Sequence, residues 1–523
     1  MDIPFKPFTI LAIGAFSPVP RDGYHAKMVS VDTPNDALSL LHPALWVSLP
    51  KEICPEGGVT ISPERLKDLT PDGMLTTVPY VRDLSDARAF VRKNASGGMS
   101  PFQLADEVRS RWPGILVKLS VPADAPKAHE RNRVDDILSM VATGAGAAAS
   151  EPARQEGPMA WAAAIDGILA AIMRAVFSDA DFRTFEAAWR GIEFLAKEGP
   201  AGAAKDTRLS LVSTSRETLA EALDALAAEL ATDPPELVLI DMAFDSSPAS
   251  IELLEAVSAF ADTVLAPTVV SMSPGFLDLG EWNEIDRLAY LAHHIEDNPV
   301  YAKWNRLRSL PEANWLVAAC NGFLARPRYA GESAARDVLF EEAAPLWISP
   351  VWAVGTLAAE SAGRIGWPTR LTDSDAARLE GLALHPAREG VPASTEAVFS
   401  VDRLRQFGEI GLCPVAGVAM KDIAFLPAAR TVSGEPLAFQ LFFSRLTGFL
   451  IRLREERGSS LPDDAAPWLE EALQTFFRLS GGHVPGDLSV KEVEGERPSF
   501  VIAFTPPAAV IPGGRGIAFT FAW

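Results

Sequence analysis

Apolar residues fall in short dense runs at the start of the chain and in long helical stripes after residue 160, and the change of period divides the sequence. FTILAIGAF (8–16) is a β-prone run with prolines on either side, and KMVSVD (27–32) alternates as a strand does. TPNDALSLLHPAL (33–45) predicts a short capped helix and VTIS (59–62) a further strand. The segment 68–94 ends in a helix that carries Val81, Leu84, Ala87 and Val91 on one face. Together these make an α/β block, residues 1–121. Residues 122–158 are rich in Pro, Ala and Gly and read as a linker. Within it Val134, Ile137, Leu138 and Val141 keep helical spacing, so a short amphipathic helix is carried on a tether.

From residue 159 to 523 the pattern is longer and more regular. Ile165, Ile168, Leu169, Ile172 and Val176 form one helical stripe. Strands are predicted at 208–214 and 236–244 and within TVLAPTVVSMSP, separated by the helices RETLAEALDALAAELA and SPASIELLEAVSAFAD. Such alternation predicts a largely parallel sheet with helices packed on it, in an α/β fold of mixed α+β character. Helices are expected at 437–456 and near 465–479, followed by paired strands in LSVKEVEG, SFVIAFTP and GIAFTFAW.

The helix DADFRTFEAAWRGIEFL (179–195) joins that stripe to the first of these strands. Phe182, Phe185, Trp189 and Ile192 share one side and predict core. Arg183, Glu186, Arg190 and Glu193 take the opposite register at ion-pair spacing, which predicts a solvated face. Asp179 or Asp181 is the expected N-cap.

Charge narrows the function. The 523 residues hold 68 acids against 47 bases, a net charge of −21, which argues against a nucleic-acid surface. Cys54, Cys320 and Cys413 lie far apart with no CxxC pair, so a reducing compartment fits. The first residues lack a basic leader and a cleavage site, and no uninterrupted apolar run reaches membrane-span length. These features predict a soluble cytoplasmic protein without membrane insertion. The best metal candidate is His293, His294 and Glu296, joined by His385; adjacent histidines diverge by about 100° on a helix and do not form the pair of a zinc helix. No GxSxG elbow or phosphate-binding glycine loop occurs, and PGGRG (512–516) reads as a hairpin turn. No enzymatic centre and no cofactor are expected.

The helix 179–195 resembles the signature of the large sheath subunit of type VI secretion systems, HPxFxxLExxWRGLxxL, with Asp179 in place of the histidine, Ala180 of the proline and Phe185 of the leucine. Glu186, Trp189, Arg190 and Gly191 keep their places. The likeness continues through VLIDMAFD and into the Arg326-Pro327-Arg328-Tyr329-Ala330 turn, and on through GRIGWPTRL and KDIAFLPAARTV. The N-terminal block resembles the small sheath subunit through PFTILAIGAFSP, KMVSVDTPNDALSLLHPAL and the turn at Asp68–Pro71.

The resemblance implies a fusion of small and large subunits, two intertwined α/β sheath domains whose terminal strands augment sheets of neighbouring protomers. It implies a bacterial contractile sheath that polymerises around an inner tube protein, meets baseplate proteins, and is recycled by a hexameric ATPase unfoldase. Gly516, Ile517, Ala518, Phe519, Thr520, Phe521, Ala522 and Trp523 would be the exchanged strand. Val134, Asp135, Asp136, Ile137 and Leu138 would be the unfoldase handle, in a region where this chain is shorter than its relatives. A metal-dependent hydrolase using the histidines, and a non-contractile baseplate or adaptor relative, are the competing readings.

Overall fold

The computed structural model describes residues 3–20, 23–95, 97, 99–117, 119, 157–198, 207–331, 335–372, 376–386, 391–458, 461–493 and 497–523. The proposed handle, Val134 to Leu138, lies outside these residues.

The first two strands are β1 (Phe8–Gly14) and β2 (Met28–Val31), and the capped helix α1 (Pro34–Leu41) follows them. Thr33 caps α1 by accepting from Asp36 N at 3.2 Å, and Pro34 presets its first turn. A hairpin of 45–48 with 58–61, which the sequence pattern resolved only in its second strand, leads to α2 (Pro79–Asn94). All of Val81, Leu84, Ala87 and Val91 are buried there. The periodic stripe at 165–176 lies on α3 (Pro158–Ser178), and the signature helix is α4 (Ala180–Glu198).

Alternation then proceeds as the pattern predicts: β3 (Thr207–Ser213), α5 (Leu219–Glu229), β4 (Leu237–Phe244), α6 (Pro248–Val264) and β5 (Thr268–Met272). β6 (Leu316–Cys320), α7 (Pro350–Ile365) and β7 (Leu412–Pro414) complete this region. A seven-stranded sheet results, in the order β7-β6-β5-β4-β1-β3-β2. Every neighbouring pair is parallel except β2 on β3.

β1 thus enters the middle of the sheet, between strands from beyond residue 200, with Phe8 opposite Thr207 and Ile10 opposite Leu237. Its run is apolar on both faces because both faces are covered. Phe8, Ile10 and Ala12 join the core beneath α3, α4 and α7, and Leu11 and Ile13 join the core beneath α5 and α6. By length and composition α3 could cross a membrane; here Trp161, Ile165, Leu169 and Ile172 bury one side of it in the fold.

The last part of the chain forms a third core. α8 (Leu437–Arg457) and α9 (Ala465–Leu479) pack on the antiparallel sheet β8 (Ser489–Val493), β9 (Ser499–Phe504) and β10 (Ile517–Ala522). PGGRG lies in the connection between β9 and β10, where Gly513 takes φ +67°, a backbone that favours glycine.

Candidate functional site

Asp179 is the cap of α4: its Oδ1 accepts from Phe182 N at 2.9 Å. Phe182, Phe185, Trp189 and Ile192 are buried, as their spacing predicts, and Trp189 Nε1 donates to Phe16 O at 3.1 Å. The solvated-face expectation fails for Glu186, which is 0% exposed. Arg326 grips it as a fork, Nε to Oε1 and Nη2 to Oε2, both at 2.9 Å. Arg326 Nη1 also donates to Glu342 Oε2 at 2.7 Å, and Arg183 Nη1 reaches Glu342 Oε1 at 3.2 Å. Arg190 sits beside the cluster, 3.5 Å from Glu186 and 2.8 Å from Glu193. The reason is non-local: Arg326, Glu342, Ala344 and Pro345 come over this side of α4, and no periodicity within α4 registers a cover supplied from 140 residues away.

Arg326 lies 4.1 Å above the Tyr329 ring, and Tyr329 N donates to Glu342 Oε2 at 3.1 Å. Burial pulls the guanidinium down, but Glu186 and Glu342 outweigh it and hold Arg326 above its ordinary value. The Tyr329 hydroxyl is pushed up to about 12, chiefly by burial and against the Arg326 charge. Buried charges are tolerable only when paired and hydrogen-bonded, and this cluster meets that requirement with fork geometry.

Gly191 has a separate task. A Cβ there would meet Trp352 Nε1 at 2.3 Å, so α7 approaches α4 only because position 191 is bare. The Trp352 indole donates to Asp241 Oδ2 at 2.8 Å. Gly191→Ala must displace that indole, and we expect a loss of about 1–3 kcal/mol in denaturant melts; an unchanged midpoint would show that the close approach is dispensable.

Asp241 occupies a bulge of β4, where the register against β5 shifts between Ile240 and Ala243. With Glu396 it lines a crevice at the carboxyl ends of the parallel strands. Burial pushes the Asp241 carboxyl up, against the Trp352 indole. Glu396 is pushed up to about 7 by burial, opposed by the Gly322 N–H and aided by Glu281. Acids raised in the fold favour its protonated form. Their contribution is whole below the ordinary value of 4.5 for Glu and is lost as pH rises through about 7. Stability should fall across that window by on the order of 1–3 kcal/mol. Thermal melts of Glu396→Gln should show a shallower fall, with the Asp241 part remaining; a wild-type profile flat over this range would refute the assignment.

The terminal strand β10 pairs with β9 of its own chain from Phe504↔Ile517 to Ser499↔Ala522. Ile517, Phe519 and Phe521 are half-buried, while Ala518, Thr520 and Ala522 are exposed. Trp523 anchors the end, its backbone N donating to Pro498 O and its indole to Gly458 O, each at 2.8 Å. Gly516 precedes the strand, which is one of the two edges of the sheet.

The histidines do not converge. His293 and His294 share the helix Leu291–Glu296, where His294 Nε2 lies 3.3 Å from Tyr301 Oη and His293 packs on Tyr290. His385 packs instead on Trp347, and among the described residues no group of three or more His, Cys, Asp or Glu gathers, Glu296 included. Sequence reasoning missed Glu342, Asp241 and Glu396 as site residues. Only Asp241 left a signal, an acid inside the apolar run VLIDMAF.

Residues 160–433, just over half of the chain, match the family described as VipB: EvpB/VC_A0108, tail sheath N-terminal domain. The type VI secretion system sheath protein TssC1 of Pseudomonas aeruginosa is 23% identical over 302 residues, 52% of this chain and 60% of that protein. The chain thus spans about three fifths of the length of the relative it matches. The matched family region runs from α3 to β7 and includes the Glu186–Arg326 cluster; β1, β2 and the C-terminal sheet lie outside it.

Proposed function

Because this chain belongs to the VipB family of tail sheath proteins, we propose that it is a structural protomer of a bacterial type VI secretion sheath, polymerising around an inner tube and driving its ejection by contraction. The observation that carries this reading is the family match across the central sheet, with the signature residues Glu186, Trp189, Arg190 and Gly191 in α4. TssC1 is itself a sheath protein by its description, which supports the same reading. No catalytic step is part of it.

In this proposal residues 1–121 play the small-subunit part and 159–523 the large. Support comes from β1, which lies between β3 and β4 and so ties the two parts into one sheet. Fusion fixes their ratio at one to one. Strand exchange would use Gly516–Trp523: β10 is an outer strand, and a sheet edge offers backbone groups that another chain can complete. A heterologous contact of this kind repeats without closing and gives helical growth. The partners proposed are further copies of the chain, a tube protein, baseplate proteins and an unfoldase that engages 134–138, all in the cytoplasm.

Negative-stain microscopy of the purified protein should show tubes or cogwheel-like rings. A protein that stays monomeric at high concentration, alone and with its tube protein, would overturn the reading.

A further inference from the structure

An open parallel sheet places ligands in the crevice outside the carboxyl ends of its strands. Here that edge holds a crevice of about 640 Å³, within the size range of small-ligand sites. Ala15 after β1, Thr214 after β3, Asp241 in β4 and Ser271 in β5 line it together with Ser349 and Glu396. Strand exchange at the far end of the chain makes no use of it.

Its charge is unbalanced. Asp241 and Glu396 both face the crevice, and neither has an ion-pair partner among the described residues. Two arginines stand at the rim, but both are committed elsewhere. Arg183 goes to Glu342 and to the carbonyl oxygens of Ala344 and Pro345, and Arg216 to Ala243 O and Ser250 Oγ. Asp181 at the mouth and Glu281 beyond Glu396 add negative charge. A second observation concerns a hydroxyl: Ser349 Oγ, in the crevice wall, is shielded from solvent and stands beside Asp241, whose proton it helps to release. The β4 bulge, a device that re-aims side chains beside sites, carries Asp241. Buried Leu346 and Ile348 with half-buried Trp347 supply an apolar wall.

We propose that this crevice binds an organic cation, an alkylammonium or guanidinium group received by Asp241, Glu396 and Ser349, with its carbon stem along Leu346 and Trp347. A metal ion would want a third ligand, and among the described residues no such set forms. An ammonium or guanidinium is satisfied by two carboxylates and a hydroxyl, and an indole face adds cation–π attraction. Because both carboxyls hold protons more tightly than usual, the bound cation displaces protons into solvent.

Calorimetric titration of the full-length protomer with spermidine, and separately with methylguanidinium, tests this without any assembly. Saturable binding is expected, with proton release greatest below about pH 7 and fading above it. Glu396→Gln and Asp241→Asn should each weaken binding roughly ten-fold or more. Both keep an oxygen for their present donors, Gly322 N and the Trp352 indole. Glu252→Gln, on the exposed side of α6, should leave binding unchanged. Absence of saturable binding for both cations, or binding indifferent to both crevice variants, overturns the proposal. Proton release by the wild type is a readout that needs no variant. Equal spermidine affinity before and after assembly would assign a free amine as the occupant; loss of affinity on assembly would assign a basic side chain of a neighbouring copy.

Discussion

Arg326→Ala should cost about 3–5 kcal/mol of folding stability, because it strips two buried carboxylates of the cation that both share. Glu186 is 0% exposed and Glu342 is 1% exposed. The fork at 2.9 Å on Glu186 and the 2.7 Å bond to Glu342 come from the same guanidinium. Arg183 would remain on Glu342, but Glu186 would keep only Arg190 at 3.5 Å. Arg326→Lys restores the charge without the fork or the stacking on Tyr329 and should recover part of the loss. Charge neutralisation offers the sharper comparison. Glu186→Gln combined with Arg326→Met should be less destabilising than Arg326→Ala alone, since Glu186 is then neutral and only Glu342, still held by Arg183, must do without Arg326. Urea melts of the three variants measure this; a loss below about 1 kcal/mol for Arg326→Ala would reduce the cluster to an ordinary surface network.

That cluster also marks the limit of the sequence pattern. The helical stripes of α3 and α4 and the helices between the strands were legible because one face of each is apolar at a fixed period, and the strands β3 to β5 because they are short, dense apolar runs. α7 was not, since almost all of Pro350–Ala362 is buried and no polar face remains to set a period. β1 was legible as a strand from its short apolar run, but its partners, 200 residues downstream, were not. Pairing register is fixed by non-local contacts that composition does not encode. The same holds for Glu186: its spacing to Arg190 allowed a solvated ion pair, and only the fold brings Arg326 and Glu342 over it. Resemblance had marked both Glu186 and the Arg326 turn, yet without indicating that they meet. Asp241 and Glu396 lie in separate segments and converge only where β4 ends, so their crevice had no linear signature.

Removal of Gly516–Trp523 should abolish tube formation outright while leaving a folded central sheet. The strand makes six residue pairs with β9 and contributes Ile517, Phe519 and Phe521, each half-buried, to the C-terminal core. A fully buried side chain of this kind stabilises by about 1.5–3 kcal/mol, so three half-buried ones amount to a few kcal/mol at most. The two cores of the seven-stranded sheet contain none of these three side chains, although Leu437 and Leu441 of α8 reach one of them. Circular dichroism should therefore retain most helical signal and show an earlier unfolding step for the C-terminal region, while micrographs show no tubes. Trp523→Ala separates the two roles: it removes the indole bond to Gly458 O and the packing on Trp468 but leaves the backbone ladder of β10 intact. If β10 serves only to cap its own sheet, Trp523→Ala and the deletion should both lower stability and neither should change assembly. If β10 passes to a neighbour, weakening its anchor frees the strand, so Trp523→Ala should keep or speed tube growth while the deletion stops it. Tubes of normal length from the truncated chain would end the strand-exchange proposal.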